Sequence, residues 1–340
     1  MPVASEEPIP GVMLQSFVTA STSDWASECS TVADEADVAS WTSSPKSKAK
    51  PSLWERRKGN GMIISTLGAT AENVQARSLQ CDPEVSGKYD VKEILGSGSL
   101  ATVYRAVPRE SPDKQVALKA LKCHNDPETV KVAKREFEIL KSLPAHPCII
   151  NALDFHDLAS GGAVLVLEYV PGLTLEAATK GAPDRRLLSP SVQHLSVALF
   201  KAVAHLHQHT VLHRDIKPSN VFVSACHSEL RLADFNVAKD ISVGASFTPV
   251  GTPLYRAPEV AWGGSCSESS DVWSAGLTML FAFLGRVPQV ASVDVEALLK
   301  PETAPDSFKA SLCLTVSVEV SKRPSAAALA SEEVWSICVA

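Results

Sequence analysis

The stretch from residue 213 to residue 220 constrains the possible folds of this chain more than any other feature. It reads His-Arg-Asp-Ile-Lys-Pro-Ser-Asn and places Asp215, Lys217 and Asn220 close together. A carboxylate, an ammonium group and a carboxamide suit a base, a phosphate ligand and a metal ligand, and chance rarely produces this string. The fold must therefore contain a short loop that presents three polar side chains to one reacting group.

The first part of the sequence has β-like patterns. Runs at 89–95, 102–107 and 115–121 are rich in β-forming residues and are separated by turn formers, which predicts a meander of three antiparallel strands. Asp126 and Pro127 then provide an N-cap and a proline at the first helical position. A helix is predicted from there to about residue 143.

The second part of the sequence changes to helical patterns. Two more strands are predicted at 149–155 and 163–169, and a helix is predicted to begin at Ser189 and Pro190. The remaining chain is mainly helical in pattern. Strands followed by helices predict an α+β protein in which a β-rich lobe is joined to an α-rich lobe.

A glycine-rich turn follows the first predicted strand. Gly96 and Gly98 allow a backbone to approach phosphate closely, although a bare turn is the alternative interpretation of two glycines alone. Lys119 lies in an apolar strand nearby, where a buried ammonium group needs an anion. Glu136 on the following helix offers that carboxylate. These residues together favour a phosphate-binding site.

Two further motifs follow the string at 213–220. Asp234-Phe235-Asn236 begins fourteen residues after Asn220, and Gly-Thr-Pro-Leu-Tyr-Arg-Ala-Pro-Glu occupies 251–259. With the features above, this order resembles a eukaryotic protein kinase over about residues 88–335. The lysine two places after Asp215 resembles the serine/threonine type. The resemblance implies a bilobal protein-kinase-like fold, with a small β-rich N-lobe and a larger α-helical C-lobe, in a kinase domain at 88–337.

The resemblance implies transfer of the γ-phosphoryl group of ATP to serine or threonine hydroxyls of protein substrates. Lys119, paired with Glu136, would hold the α- and β-phosphates. Asp215 would orient the substrate hydroxyl and accept its proton, and Lys217 would neutralise charge on the γ-phosphate. These four residues form the expected catalytic set.

Other positions match the family in binding or in structure. Asn220 and Asp234 would bind Mg²⁺, while Asp271 would brace the catalytic loop and Glu259 would pair with Arg323. The nucleotide site implied by the resemblance, including the apolar adenine pocket and the hinge backbone, consists of Leu95, Gly96, Gly98, Val103, Ala117, Lys119, Leu167, Glu168, Val170 and Phe222. Leu140, Leu153, His213 and Phe235 look like the family's regulatory spine.

The sequence departs from the family at two glycine positions. Ala101 replaces the third glycine of the phosphate loop, and Asn236 replaces the glycine after Asp234 and Phe235. Neither change removes a ligand, and asparagine is expected to tolerate a positive φ at position 236. The alternative to an active kinase is a catalytically silent kinase-like scaffold, which only these two changes favour.

Residues 1–87 are predicted to form a disordered Ser/Thr-rich tail. Apolar periodicity is weak there, and seven acidic but no basic residues precede position 46. A basic cluster near 46–58 suits either a nuclear-import patch or a solvated linker. The formal net charge of −6 gives no case for nucleic acid or an anionic membrane as the main partner.

The cellular location is predicted to be cytoplasmic or nuclear. No apolar run approaches the roughly 20 residues that span a bilayer, and no targeting signal begins the sequence. The eight cysteines contain no CxxC pair and suggest reduced thiols. The sequence leaves the oligomeric state open.

Regulation is predicted at Thr248, three residues before Gly251. Its phosphate would pair with the guanidinium of Arg214, which is expected to be unpaired until an anion arrives. Ser242 and Ser246 are lesser candidates.

Neither a metal site at three histidines nor strong selection for arginine in the substrate is expected. His205, His207 and His209 suggest a metal site, but their spacing on a helix turns the middle ring away from the other two. Thr174 and Ser219 occupy the places where related kinases carry acids that bind arginine, so a weak preference for upstream arginine is expected.

Overall fold

The computed structural model describes residues 82–98, 100–121, 127–158, 161–243, 251–288, 294–300 and 302–336. The predicted tail as far as residue 81, its basic cluster, Asp126 and Thr248 lie outside these ranges. Within them, a sheet-containing part precedes a helical part. The predicted α+β class with two lobes is therefore confirmed.

Regular structure begins before the predicted domain start at residue 88. Helix α1 (Pro83–Ser86) is capped by Asp82, whose carboxylate accepts a hydrogen bond from the Glu84 N–H at 3.0 Å. Val85 on this helix is completely buried against the strand residues that follow. The assignment of residues 83–87 to a disordered tail is wrong, because one buried valine and a side-chain cap are enough to dock this turn.

The N-lobe is a five-stranded antiparallel sheet with one long helix. The strands occur in the spatial order β1-β2-β3-β5-β4. Its elements are β1 (Tyr89–Ser97), β2 (Ala101–Pro108), β3 (Val116–Leu121), α2 (Pro127–Ser142), β4 (Ala152–Asp157) and β5 (Ala163–Glu168). The predicted three-strand meander is confirmed.

Strand β4 begins three residues later than its pattern predicts. Ile149 instead forms a parallel bridge with Leu232, and the Ile150 N–H donates to the Leu232 carbonyl at 3.0 Å. These bonds connect the start of the segment to the C-lobe, so it joins the N-lobe sheet only from Ala152 onward. Leu153 is then 46% exposed while Ala152 is buried, so Leu153 is not a core spine residue.

The C-lobe consists of helices and short strand pairs. Its helices are α3 (Leu175–Gly181), α4 (Ser189–Gln208), α5 (Pro258–Ala261), α6 (Glu268–Leu284), α7 (Val295–Leu299), α8 (Asp306–Thr315), α9 (Ala326–Leu329) and α10 (Glu332–Ser336). Its strands are β6 (Leu173–Thr174), β7 (Val211–Leu212), β8 (Val221–Val223), β9 (Leu230–Leu232) and β10 (Lys239–Asp240). Single 3₁₀ turns occur at Pro218–Asn220, Ile241–Val243, Pro253–Tyr255 and Val320–Lys322.

Helix α6 is the central element of the C-lobe, and every residue from 270 to 283 is buried. A capping box between Ser267 and Ser270 starts this helix, and Gly285 ends it in the left-handed conformation with φ of 72°. Gly276 lies where α6 packs closely on α8, next to Thr315. In the described part of the chain, no helix is both long enough and apolar enough to cross a bilayer.

Candidate active site

Strand β3 carries Lys119 into contact with two carboxylates. Its Nζ lies 2.8 and 2.7 Å from the two oxygens of Glu136 on α2, and 2.8 Å from Oδ1 of Asp234. Glu136 is nearly completely buried and also accepts a hydrogen bond from the Phe235 N–H at 3.2 Å. The predicted pairing of Lys119 with Glu136 is present, and the structure adds Asp234 to it.

Lys119 and Asp234 stabilise each other's charge, whereas burial raises the pKa of Glu136. Burial alone would lower the pKa of Lys119, but the carboxylates of Asp234 and Glu136 outweigh it and raise that pKa. Burial would raise the pKa of Asp234, and the ammonium group of Lys119 reverses the shift and lowers it. Lys119 is therefore protonated and Asp234 ionised at neutral pH, which are the forms that attract phosphate and a metal ion.

The catalytic-loop residues are connected by a second set of hydrogen bonds. Lys217 Nζ donates to Asp215 Oδ2 and to Thr252 Oγ1, both at 2.8 Å. The Thr252 N–H and hydroxyl both donate to Asp215 Oδ1, also at 2.8 Å. Both oxygens of Asp215 are thus oriented. Thr252 was not predicted to have a role, although its position directly after Gly251 in the motif at 251–259 could have indicated one.

Asp271 on α6 holds the backbone of this loop. Its carboxylate accepts hydrogen bonds from the N–H groups of His213 and Arg214, each at 2.9 Å, and from His207 Nε2 at 3.2 Å. Burial would raise the pKa of Asp271, but the hydrogen bonds from His207 and the backbone outweigh burial and lower it. The predicted bracing role is present, with His207 as a partner that the sequence did not indicate.

The guanidinium of Arg214 was expected to be unpaired, but the structure gives it a hydrogen-bond partner. Its Nε donates to the Val237 carbonyl at 2.6 Å, so the guanidinium is not unpaired in the absence of an anion. The residue has a φ of 65°, as expected for a strained position that the Asp271 carboxylate helps to hold. Thr248, its predicted partner, lies outside the described residues.

One buried oxygen of the loop has no hydrogen-bond partner among the described residues. It is Oδ1 of Asn220, whose Nδ2 donates to the Asp215 carbonyl at 2.9 Å. The Asn220 carbonyl accepts from the Ala233 N–H at 2.9 Å, which places the residue before Asp234 beside Asn220. A buried acceptor left unpaired is costly unless a ligand completes it, so this oxygen and the Asp234 carboxylate suit a hard cation.

The residues predicted around adenine belong to one apolar cluster. Val103 lies opposite Lys119 in the β2–β3 register, and Ala117 lies opposite Leu167 in the β3–β5 register. All three apolar residues are buried. The partly buried members packed on the same cluster include Leu95, Val170 and Phe222. The phosphate-loop turn is closed by a hydrogen bond from the Gly98 N–H to the Ala101 carbonyl at 2.9 Å.

Glu168 has a side-chain role in addition to its expected backbone role. Its carboxylate accepts hydrogen bonds from the Asn151 N–H at 3.2 Å and Nδ2 at 3.0 Å, and lies 3.4 Å from Arg231 Nε. These contacts hold the segment after β5 against β9. Asn151 and Arg231 were missed because nothing local in the sequence marks them.

The predicted ion pair between Glu259 and Arg323 is also present. Arg323 donates to both oxygens of Glu259 at 2.8 Å, and its guanidinium lies 4.8 Å from the centre of the Trp273 ring. The pair joins α5 to the chain before α9.

The backbone conformation at Asn236 shows why asparagine can replace the family's glycine there. Within the motif at 234–236, the left-handed conformation falls on Asp234, with φ of 66°, and not on Asn236. The expected tolerance of a positive φ at Asn236 is therefore not needed. Asparagine at this place imposes no left-handed strain on the backbone.

A lysine-bearing sheet above a helical lobe that holds the catalytic loop defines the protein-kinase class of fold. A family model described as "Protein kinase domain" matches residues 89–333, and the chain belongs to this family.

Named relatives agree with this assignment. Serine/threonine-protein kinase PrkC of Bacillus subtilis is 31% identical over 224 residues, covering 64% of this chain and 33% of that protein. MAP kinase kinase MKK1/SSP32 of Saccharomyces cerevisiae is 31% identical over 198 residues, covering 57% and 39%. Serine/threonine-protein kinase dkf-2 of Caenorhabditis briggsae is 28% identical over 262 residues, covering 74% and 22%. The chain spans less than half the length of each of these relatives.

Proposed function

We propose that this chain is an active ATP-dependent serine/threonine protein kinase. The observation that carries the proposal is the position of Lys119, which contacts Glu136 and Asp234 at once. Through these two contacts, Lys119 connects the sheet to helix α2 and to the segment that begins at Asp234. Phosphoryl transfer depends mainly on positioning and on charge neutralisation, and this arrangement supports both.

The proposed reaction moves one phosphoryl group. The oxygen of a substrate serine or threonine forms a bond to the γ-phosphorus of ATP, the bond from that phosphorus to the β–γ bridging oxygen breaks, and ADP leaves. Asp215 accepts the hydroxyl proton, and its carboxylate is oriented for this by Thr252 and Lys217. Lys217 also places a positive charge beside the transferred group.

ATP and Mg²⁺ are the cofactors that the family implies. The unpaired Asn220 Oδ1 and the ionised Asp234 fit magnesium, which prefers oxygen ligands. When bound, magnesium supplies neutralisation of phosphate charge. Lys119 would hold the α- and β-phosphates, and the apolar cluster around Val103, Ala117 and Leu167 would exclude water from adenine.

The silent-scaffold alternative has little support. Silent members of the family are expected to lack the phosphate lysine, the base or a metal ligand, and none is missing here. The change at Asn236 falls on a residue without a left-handed φ, and Ala101 closes the phosphate-loop turn through its backbone carbonyl. Neither departure removes a group that acts on phosphate.

Phosphoryl transfer by purified full-length protein tests this proposal. We expect Lys119→Met and Asp215→Ala each to lower the rate of ³²P transfer from ATP by about a thousandfold, since each removes a charged group at the reaction centre. Lys131→Met is the matched control, because Lys131 is exposed on α2 and pairs only with Glu128. Label should be recovered on serine or threonine. Equal rates in Lys119→Met and Lys131→Met would contradict the proposal.

We further propose that phosphorylation of Thr248 raises activity. A phosphate brings about two negative charges, and Arg214 lies directly before the base. The phosphate would compete with the Val237 carbonyl for this guanidinium and order the segment leading to Thr252. Phosphosite mapping and the kcat of Thr248→Ala test this, and Ser242→Ala shows whether that lesser candidate has the same effect. An unphosphorylated Thr248→Ala protein with full activity would refute the switch.

A further inference from the structure

A cavity of about 460 Å³ lies between α4, α9 and the segment that joins α2 to β4. Alanines provide the space, since Ala204 on α4 and Ala326, Ala327 and Ala330 at α9 line it. A volume of this size is typical of small-molecule sites. None of the residues proposed to act on ATP or on the substrate lines the cavity, so it is separate from the active site.

The polar wall of this cavity carries one ammonium group, that of Lys201. Gln208 and Ser325 add an amide and a hydroxyl that can donate hydrogen bonds to a ligand, and Glu268 is the only carboxylate among the lining residues. The ion pair of Lys201 with Glu332, at 3.3 Å, is exposed, so it restrains the lysine weakly. The wall therefore suits an anion.

His146 adds a donor whose tautomer is set by its surroundings. Its Nδ1 accepts a hydrogen bond from the Cys148 N–H at 3.1 Å, so Nε2 carries the hydrogen. His205 Nε2 donates to the Pro144 carbonyl at 3.0 Å. These bonds hold both rings in place without using all their nitrogen atoms.

The histidines form a stack that disfavours positive charge when nothing is bound. The rings of His146 and His205 are stacked with centroids 4.7 Å apart, and those of His205 and His209 are 4.4 Å apart. Burial lowers the pKa of His146, and neighbouring positive groups, including His205, Arg231 and Lys201, lower it further. Burial also lowers the pKa of His205, so both rings are neutral at neutral pH and His146 meets a ligand as a neutral N–H donor.

A metal ion is a poorer occupant than an anion. The described residues contain no group of three histidine, cysteine, aspartate or glutamate side chains placed to hold a metal. Of the three neighbouring rings, those of His205 and His209 already use a nitrogen on a backbone carbonyl, as His209 Nδ1 does with the His205 carbonyl at 2.8 Å. The rings are thus arranged to pack and to donate.

We propose that this cavity binds a small molecule of the phosphate-monoester class, with Lys201 as its main cationic contact and His146 as a neutral donor. The volume exceeds that of a phosphate group, so the organic part of the ligand lies against the alanines of α9. His207, another wall residue, donates to Asp271, which holds the catalytic loop. The ligand would therefore lie one side chain away from the anchor of that loop.

Calorimetric titration of the full chain with inorganic phosphate tests the proposal. The nucleotide site is first saturated with a non-hydrolysable ATP analogue, so that phosphate cannot bind beside Lys119. We expect saturable binding to the unmodified protein and at least fivefold weaker binding to Lys201→Gln. Lys180→Gln is the matched control, because Lys180 also forms an exposed ion pair with a glutamate. It should bind phosphate like the unmodified protein.

A second pair of variants shows whether the ligand binds inside the cavity or is only attracted by positive charge on the surface. Ala327 lines the cavity, and its neighbour Ala328 is exposed on the same helix without lining it. We expect Ala327→Phe to block binding of glycerol phosphate, which needs the space beside α9, and Ala328→Phe to leave binding unchanged. Circular dichroism melts show whether each variant is folded.

Histidine ring resonances locate the bound anion. Phosphate should shift the ring signals of His146 and His205 and leave His156, which is buried in the N-lobe, unchanged. Absence of saturable binding, equal affinities of Lys201→Gln and Lys180→Gln, or unshifted signals of His146 and His205 would each overturn the proposal.

Discussion

Replacement of Asp271 by asparagine tests how the catalytic loop is held. In the structure this carboxylate accepts two backbone N–H groups at 2.9 Å and one imidazole nitrogen at 3.2 Å. Asparagine has one acceptor oxygen and a donating NH₂ group, so at least one buried N–H loses its acceptor and faces another donor.

The expected cost follows from those contacts. A hydrogen bond to a charged group contributes about 1.5–3 kcal/mol, and a buried unpaired donor costs about 1–3 kcal/mol, so Asp271→Asn should lower the free energy of unfolding by about 2–4 kcal/mol. The substitution also frees the backbone of the catalytic loop, which holds Asp215 in position. A displacement of about 1 Å at a reacting group lowers kcat about 100-fold. The KM for ATP should change little, since Asp271 contacts none of the proposed nucleotide-site residues.

The assays are urea unfolding and steady-state kinetics at pH 7, with Glu268→Gln as control. Glu268 is exposed on the same helix, so the same chemical change there should move neither quantity. Asp271→Asn with the stability and kcat of that control would show that the carboxylate does not hold the loop.

The pH dependence gives an independent check with a defined sign. The pKa of Asp271 is lowered in the folded protein, so its ionisation stabilises the fold fully above the ordinary carboxyl pKa of about 4. That contribution is lost as the pH falls through the lowered value. The stability difference between the unmodified protein and Asp271→Asn should therefore be largest at neutral pH and should shrink below about pH 4.

Two further predictions concern packing and substrate choice. Gly276→Ala should lower the free energy of unfolding by about 1–3 kcal/mol in urea titrations, because its Cβ would lie 2.6 Å from Thr315 Cβ, whereas Gly181→Ala, with no atom within 4 Å, should not. A positional peptide library should show little selection for arginine upstream of the phosphoacceptor. Thr174 is buried as the cap of α3, and Ser219 carries no charge. Strong selection for arginine three residues upstream would show that another acid binds it.

The residues of the active site were largely predictable because each lies in a short motif of fixed spacing. Lys119, Asp215 and Asp234 are identified by local strings, Glu136 by its place on the helix after Lys119, and the antiparallel register then brings β2, β3 and β5 together around Lys119. What a local string cannot show is a hydrogen bond between distant segments. Thr252 contacts Asp215 across thirty-seven positions, and no pattern near either residue reports the distance between them.

The errors have the same physical origin. Leu153 was placed in the core by its resemblance to a residue of the family's regulatory spine, but Ala152 is buried there instead, next to a bulge in the β4–β5 register. Asn236 was expected to tolerate a left-handed φ because it replaces a glycine, yet the left-handed φ in this motif falls on Asp234. Backbone geometry at a turn depends on contacts from other segments, so residue type alone assigned it to the wrong position.

The contacts of Thr252 connect regulation to chemistry. Gly251 has a φ of 90°, and a Cβ there would collide with the Arg214 carbonyl, so only glycine allows this close approach of the activation segment to the catalytic loop. The next residue, Thr252, then contacts both Asp215 and Lys217. If Thr248 is phosphorylated, as we propose, the modification would fall four positions before the threonine whose hydrogen bonds orient the base. The same glycine thus explains how a modification on the segment would reach the reacting atoms.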